Sequence, residues 1–145
     1  MKRILWLVAL SVLFSACATV DDKSMPVTVK ALQHHNWELT HINGEEVVLS
    51  ALRNKPRLEI GENFTANGMA GCNNFFGQAE LNEHGMFRVE KMALTRKMCP
   101  EAEMKIERVM AETLSVWSKI TLTPDSLTIK GPAHELTLRL RDWVR

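Results

Sequence analysis

Apolar and polar residues alternate along several short segments of the chain, which is the pattern of half-buried β-strands. Asn43-Gly44 follows the first segment and is a strong signal for a two-residue hairpin turn, with 47–49 as the expected return strand. Short strands joined by turns predict an antiparallel sheet or barrel. The alternating segments lie at 34–42, 57–60, 75–81, 86–89, 120–123, 126–130 and 134–140.

In the middle of the chain the spacing of apolar residues changes, and they recur three and four positions apart. This spacing predicts one long amphipathic helix. Pro100 is expected as its first residue, and Glu101 and Glu103 fall in the first turn, where the helix dipole favours acidic side chains. Strands, a helix and further strands together predict an α+β domain. The periodic positions are Ile106, Val109, Met110, Thr113, Leu114 and Trp117.

The first 16 residues have the features of a secretory signal. Lys2 and Arg3 supply a positive end, and the apolar run at 4–14 is too short to remain as a bilayer span. Residues 13–17, Leu-Phe-Ser-Ala-Cys, resemble a bacterial lipobox, in which the chain is cut before the cysteine and its sulfur is diacylated. Cys17 is therefore the predicted lipidation site. An ordinary cleaved signal with an incidental cysteine is the alternative.

These features divide the chain into a lipoprotein signal peptide at 1–16, a lipidated tether at 17–31 and a folded domain at 32–145. A lipid on Cys17 would hold the protein on a membrane surface without crossing it. Ala18 stands where aspartate would be the usual inner-membrane retention signal. We therefore expect attachment to the bacterial outer membrane, with the domain facing the periplasm.

Charge argues against a nucleic-acid partner. Removal of Lys2 and Arg3 lowers the basic count from 18 to 16 against 17 acidic residues, so the mature chain carries a formal net charge of −1. Without a basic excess there is little to drive binding to phosphate backbones. The expected partners are the membrane, through the anchor, and an envelope protein or apolar ligand. The protein itself is expected to be a monomer.

Two cysteines remain once Cys17 carries lipid, namely Cys72 and Cys99. In an oxidising compartment they are expected to form a structural disulfide. A redox-sensing pair and a metal site are the alternatives. There is no CxxC spacing, and no histidine lies within a few residues of either cysteine, so no metal is expected.

The glycine- and asparagine-rich segment at 68–81 is the most distinctive stretch of the chain. Glycine and asparagine are the residues that build tight turns, which favours a structural role before a core strand. A functional role is the alternative. In that case Asn73, Asn74, Arg96 and Lys97 would form an exposed polar and cationic recognition patch.

Catalytic motifs are not found in the sequence. No serine lies in a GxSxG context, and no GxGxxG or GxxxxGK stretch could hold a phosphate. The adjacent His34 and His35 would point to opposite faces of a strand and could not share a metal ion. No cofactor and no enzymatic activity are expected. The 8 methionines allow a small apolar cleft between helix and sheet, since methionine suits irregular apolar surfaces.

Several segments of the chain are similar to those of one known family, namely 34–39, 43–44, 71–77, 93–99, Glu101 and the leucine-rich final strand. On these residues the chain resembles the META domain family from about residue 32 to 140. The resemblance implies a curved, mainly antiparallel sheet or partial barrel packed on one main α-helix. It also implies a place in the cell envelope and a part in the response to heat shock and antibiotics, and it implies no reaction. We therefore expect a non-enzymatic, lipid-anchored envelope protein; a ligand carrier or enzyme with a pocket between helix and sheet is the alternative.

Overall fold

The computed structural model describes residues 23–48 and 51–141, and within them the chain forms an antiparallel barrel with one main helix. Cys17 and the signal segment lie outside the described residues. The helices are α1 (Val29–Leu32) and α2 (Glu101–Ser115), with a 3₁₀ turn at Glu62–Phe64. The strands are β1 (His35–Ile42), β2 (Glu45–Glu46), β3 (Arg57–Ile60), β4 (Thr65–Met69), β5 (Asn74–Leu81), β6 (Met86–Leu94), β7 (Ser118–Leu122), β8 (Ser126–Lys130) and β9 (Glu135–Leu140).

The sheet closes on itself. Strands β1 and β3 to β9 pair in that order, and β9 pairs back onto β1, so eight strands form a complete barrel. The closing pairs run from Trp37 opposite Leu140 to Ile42 opposite Leu136. The α+β class is confirmed, but the expected partial barrel is closed. Closure is feasible because β1 uses one edge for β9 and the other for β3 and β2.

The inner faces of the strands and one face of α2 share a single core. Met110 and Leu114 of α2 are fully buried among the barrel side chains. The two faces of β5 differ in burial, since Phe75 and Ala79 are buried while Phe76 is 60% exposed. The largest fully buried side chains are Trp37, Phe75, Phe87, Leu32, Leu39, Leu58, Ile60, Met110, Leu114, Leu122, Leu127 and Ile129.

The barrel has two different ends. At the end where β1 begins, here called the N-terminal end, α1 precedes β1 and the backbone N–H of Met25 donates to the carbonyl of Leu122 at 2.7 Å. At the opposite end, here called the helix end, lie the β1–β2 turn and α2, which connects β6 to β7. The sequence analysis placed the start of the folded domain at residue 32. In the structure, Met25 and most of α1 precede this position and already belong to the fold.

The β1–β2 hairpin forms at Asn43-Gly44 as predicted, but its return strand is Glu45–Glu46 and not 47–49. The two-residue turn places Glu45 directly opposite Ile42. Pairing continues only as far as the N–H of Val47, which donates to the carbonyl of Thr40 at 2.8 Å. Residue 49 lies outside the described residues.

The predicted helix is confirmed, with differences at both termini. Pro100 is the N-cap residue and not the first helical residue. The helix ends at Ser115, so Trp117 does not extend its buried face. Ser118 Oγ donates to the carbonyl of Thr113 at 2.9 Å, which occupies one of the last helical carbonyls and helps to end the helix. Trp117 instead lies on the surface, with its ring 4.6 Å from the guanidinium carbon of Arg88.

Candidate functional site

The helix end holds a loop that is joined to α2 by several contacts. Cys72, in the loop between β4 and β5, forms a disulfide with Cys99, just before α2; their Cα atoms are 5.7 Å apart. Gly71 beside it has a φ of +136° and lies so close to α2 that a Cβ would be 2.6 Å from the carbonyl oxygen of Glu103. Backbone conformation and space both require glycine at this position. The turn that follows β4 in the 68–81 segment is thus packed directly on the main helix.

Asn73 joins this loop to two other segments. Its backbone N–H donates to Glu107 Oε2 at 2.6 Å, and its Nδ2 donates to Glu107 Oε1 at 3.1 Å. Its Oδ1 accepts from the hydroxyl of Thr95 at 2.8 Å and from the backbone N–H of Lys97 at 2.7 Å. Nδ2 also donates to the carbonyl of Lys97 at 3.1 Å. Both polar atoms of the side-chain amide, Oδ1 and Nδ2, therefore form hydrogen bonds within the protein.

The expected recognition patch must be corrected for Asn73. This residue is 2% exposed and its polar atoms face the protein, so it holds the loop and cannot meet a partner. Asn74, Arg96 and Lys97 are exposed in the same region. Met98, 88% exposed, lies beside them and was not singled out from the sequence. What reaches solvent here is therefore a mixed polar, cationic and apolar surface.

Two carboxylates on α2 are buried, which the sequence analysis did not predict, although it placed Glu103 in the first helical turn. Glu103 and Glu107 are 3% and 9% exposed. Glu107 accepts the bonds from Asn73, and Glu103 Oε1 accepts from the backbone N–H of Arg53 at 3.0 Å. A sequence signal was available, because 103 and 107 lie one turn apart and in phase with the buried Met110 and Leu114. Acidic residues on the apolar face of a helix need internal donors, which the loops supply here.

A cleft of about 380 Å³ lies between α2 and the β1–β2 hairpin, also at the helix end. Its edges are polar, with Glu45 and Glu46 on the hairpin side and Lys105 on the helix side. An apolar cleft in this place was expected from the methionine content, yet no methionine lines it. Its apolar lining consists of Ile42, Val47, Val48, Ala51, Leu52, Ala102, Ile106 and Val109.

Strand β2 presents an edge to this cleft. Within the described part of the chain β2 pairs with β1 alone. Val47 and Thr40 are joined by a backbone hydrogen bond. Because hydrogen-bonded and non-hydrogen-bonded residue pairs alternate along antiparallel strands, the next pair, Glu46 and His41, is a non-hydrogen-bonded one. The N–H and C=O of Glu46 therefore point away from β1. Backbone groups in this position can receive an added strand.

Titratable side chains are dispersed over the helix end. His134 Nδ1 lies 3.2 Å from Asn43 Nδ2, and its Nε2 lies 3.7 Å from Glu112. In residues 23–48 and 51–141 there is no group of three or more histidine, cysteine or acidic side chains that could hold a metal ion. Over the same ranges, none of the helices has the length and apolar character needed to cross a membrane.

Comparison with known proteins identifies relatives along the whole chain. The META domain family profile matches residues 30–143. Heat shock protein HslJ of Escherichia coli strain K12 is 32% identical over 145 residues, which is 99% of each chain. A solved NMR structure, 30% identical, covers 83% of this chain and all of its own with a TM-score of 0.72.

A second NMR structure, of a protein from Burkholderia xenovorans, covers 99% of this chain and all of its own with a TM-score of 0.68. At 16% identity it supports the fold alone. The family profile extends from α1 through every strand of the barrel and therefore includes the disulfide, the buried Asn73 and the cleft. By the extent of that match and by its similarity to HslJ, the chain belongs to the META domain family.

Proposed function

We propose that this protein is a non-enzymatic, lipid-anchored binding protein of the bacterial cell envelope that acts in the stress response. The lipobox-like sequence at Cys17 supports the anchor, and the similarity to a heat shock protein supports the link to stress. Attachment is to the outer membrane, with the barrel in the periplasm. The activity itself resides in the cleft between α2 and the β1–β2 hairpin.

The occupant of the cleft is an extended apolar segment of another envelope polypeptide. A volume of about 380 Å³ is near the lower limit of ligand sites and has room for a few apolar side chains. The outward N–H and C=O of Glu46 add backbone hydrogen bonds, as in other complexes in which a peptide extends a sheet edge. This combination of an apolar floor and an available strand edge is the observation that carries the proposal.

Binding is tested with Val48, which lines the cleft and is 63% exposed. The probe is a reduced and alkylated model protein that stays unfolded, added to the isotope-labelled barrel domain. We expect amide shifts in 45–48 and 105–109, and at least a tenfold loss of affinity in Val48→Asp because a carboxylate is costly to desolvate. Val29→Asp is the matched control, since Val29 is 42% exposed on α1 at the other end of the barrel.

The same two variants test the cellular role. In a strain that lacks the gene, wild type and Val29→Asp should restore survival after heat shock, and Val48→Asp should not. Equal rescue by both variants, or no effect of deletion on survival, contradicts the proposal. Unchanged affinity of Val48→Asp in the titration contradicts the placement of the site.

A carrier of small apolar ligands is the second candidate, favoured by Lys105 at the rim of an apolar cleft. Its ammonium group could pair with the carboxylate of a fatty acid. Titration with a fluorescent fatty acid distinguishes the two functions. Lys105→Ala should lower the affinity for a fatty acid and leave the affinity for an unfolded, uncharged peptide nearly unchanged.

A further inference from the structure

The outer wall of the barrel carries an unusual cluster around Glu38. This residue points away from the core but is only 6% exposed, because long cationic side chains cover it. Lys55 Nζ lies 3.7 Å from its Oε2, while Arg139 Nη2 and Arg141 Nε lie 3.7 and 3.6 Å from its Oε1. We call Lys55, Arg139 and Arg141 the basic cluster.

The basic cluster is not neutralised by its own carboxylate. Among the described residues, three positive charges contact one negative charge, which leaves two positive charges in excess. The contacts are longer than hydrogen bonds, and Glu38 Oε1 has no hydrogen-bond partner in the described residues. The cationic side chains are 54%, 57% and 46% exposed, so their donors remain available to an external anion. Arg57 and Glu59, the outward residues of the adjacent β3, add no net charge.

The position of the cluster relates it to the chain that leads back to Cys17. Met25 pairs with Leu122 at the N-terminal end of the barrel, and Arg141 donates from its N–H to the carbonyl of Asn36 at the same end. Arg139 lies on β9, two strands from Leu122 on β7, or about 10 Å at normal strand spacing. From Cys17 to Met25 the chain advances eight positions and spans at most about 28 Å.

We propose that the basic cluster docks the barrel onto the phosphate groups of anionic lipids in the membrane that carries the anchor. The proposal rests on the proposed lipidation of Cys17, which brings the N-terminal end close to that surface. Guanidinium groups suit phosphate oxygens because they offer several donors in a planar fork. Docking through Arg139 and Arg141, which lie in and just after the half of β9 nearer the N-terminal end, leaves the helix end and its cleft farther from the membrane and open to periplasmic partners.

The test uses residues 23–145 without lipid, so that binding does not depend on the anchor. The solved relative of 30% identity matches over its whole length to 83% of this chain, which supports the use of a shortened barrel domain. Co-sedimentation is measured with phosphatidylcholine vesicles that contain or lack 30% phosphatidylglycerol, at low salt. We expect binding only to the anionic vesicles. Arg139→Ala/Arg141→Ala should weaken it about 30-fold, at about 1 kcal/mol for each basic residue at an anionic surface.

Three further variants make the result specific. Lys119→Ala/Lys130→Ala removes the same charge from β7 and β8 and should change binding less than threefold. Arg139→Lys/Arg141→Lys keeps the charge but loses the planar forks, so it should bind more weakly than wild type and more tightly than the double-alanine variant. Glu38→Gln removes the internal counter-charge and should tighten binding. Inorganic phosphate at millimolar concentration should not compete, which separates a lipid surface from a site for free phosphate.

Equal binding of the wild type to both vesicle types overturns the proposal. Equal losses in the two double-alanine variants also overturn it, because net charge alone would then explain the binding. Each variant is first checked for a thermal unfolding curve like that of the wild type. If the double-alanine variant does not fold, Arg139→Lys/Arg141→Lys and Glu38→Gln still decide the question. Failure here leaves the anchor and the cleft untouched, since the tested domain lacks Cys17 and retains Val48.

Discussion

Asn73 and Glu107 are joined by two hydrogen bonds, one from the backbone N–H and one from the side-chain amide of Asn73. Both residues are buried, and each carboxylate oxygen of Glu107 accepts one of these bonds. The contact fixes the loop between β4 and β5 on the central turns of α2. It therefore links the barrel to the helix that forms one wall of the cleft.

Glu107→Gln should destabilise the protein by about 1 to 3 kcal/mol, the cost of leaving a buried donor unpaired. Glutamine has one acceptor oxygen, whereas Asn73 presents two donors to this side chain. Urea unfolding followed by circular dichroism gives the free energy. Glu83→Gln is the control, because the Glu83 side chain is 87% exposed, and it should change stability by less than about 0.5 kcal/mol. Equal stability of the two variants would show that the Asn73 contact contributes little.

The sequence predicted the elements better than their arrangement. The helix was identifiable because its apolar residues follow a 3.6-residue period and acidic residues begin it. Closure of the barrel could not be predicted from the sequence. Strands β1 and β9 are about 100 residues apart, and the alternation of residues along a strand does not specify which strand pairs with it. Local patterns thus predicted strands and a helix, and the pairing of β9 with β1 required the structure.

The candidate site shows the same division. Asn73 was identified as special from its glycine-rich context, and its exposure was expected only in the alternative in which the segment has a functional role. Its burial depends on Glu107, 34 positions later, and no local signal links the two residues. The cleft was anticipated between helix and sheet, yet its position depends on where the β1–β2 hairpin meets α2 in the folded barrel.

Gly71→Ala should be markedly more destabilising than Gly44→Ala. Both glycines have positive φ, +136° and +80°. Alanine costs about 1 to 2 kcal/mol of backbone strain in the left-handed region near Gly44, and more at Gly71, whose φ lies in a region that is essentially restricted to glycine. At Gly71 the new Cβ would also meet the Glu103 carbonyl at 2.6 Å, whereas at Gly44 nothing lies within 4 Å. We expect an additional loss of about 1 to 3 kcal/mol at Gly71, measured by urea unfolding. Equal losses would mean that α2 can move away from the loop at no cost.

The Cys72–Cys99 disulfide should stabilise the protein by about 3 to 4 kcal/mol, since it closes a loop of 27 residues in the unfolded chain. Reductant should lower the urea midpoint of the wild type and have no effect on Cys72→Ser/Cys99→Ser. Intact mass of the purified domain should be two hydrogens below that of the reduced chain. A mass equal to that of the reduced chain is the contrary result.

Cys17→Ser should abolish lipidation. Wild-type cells grown with labelled palmitate should yield a labelled protein in the membrane fraction, and the variant should carry no label. Labelling is the decisive measurement, because an uncut leader could itself hold the variant at a membrane. Cys99→Ser is the matched control: it loses the disulfide but retains Cys17, so it should be labelled as strongly as wild type. Label on the Cys17→Ser protein would exclude Cys17 as the lipidated residue. No label on the wild type would exclude the lipid anchor, and with it the membrane-facing orientation proposed for the basic cluster.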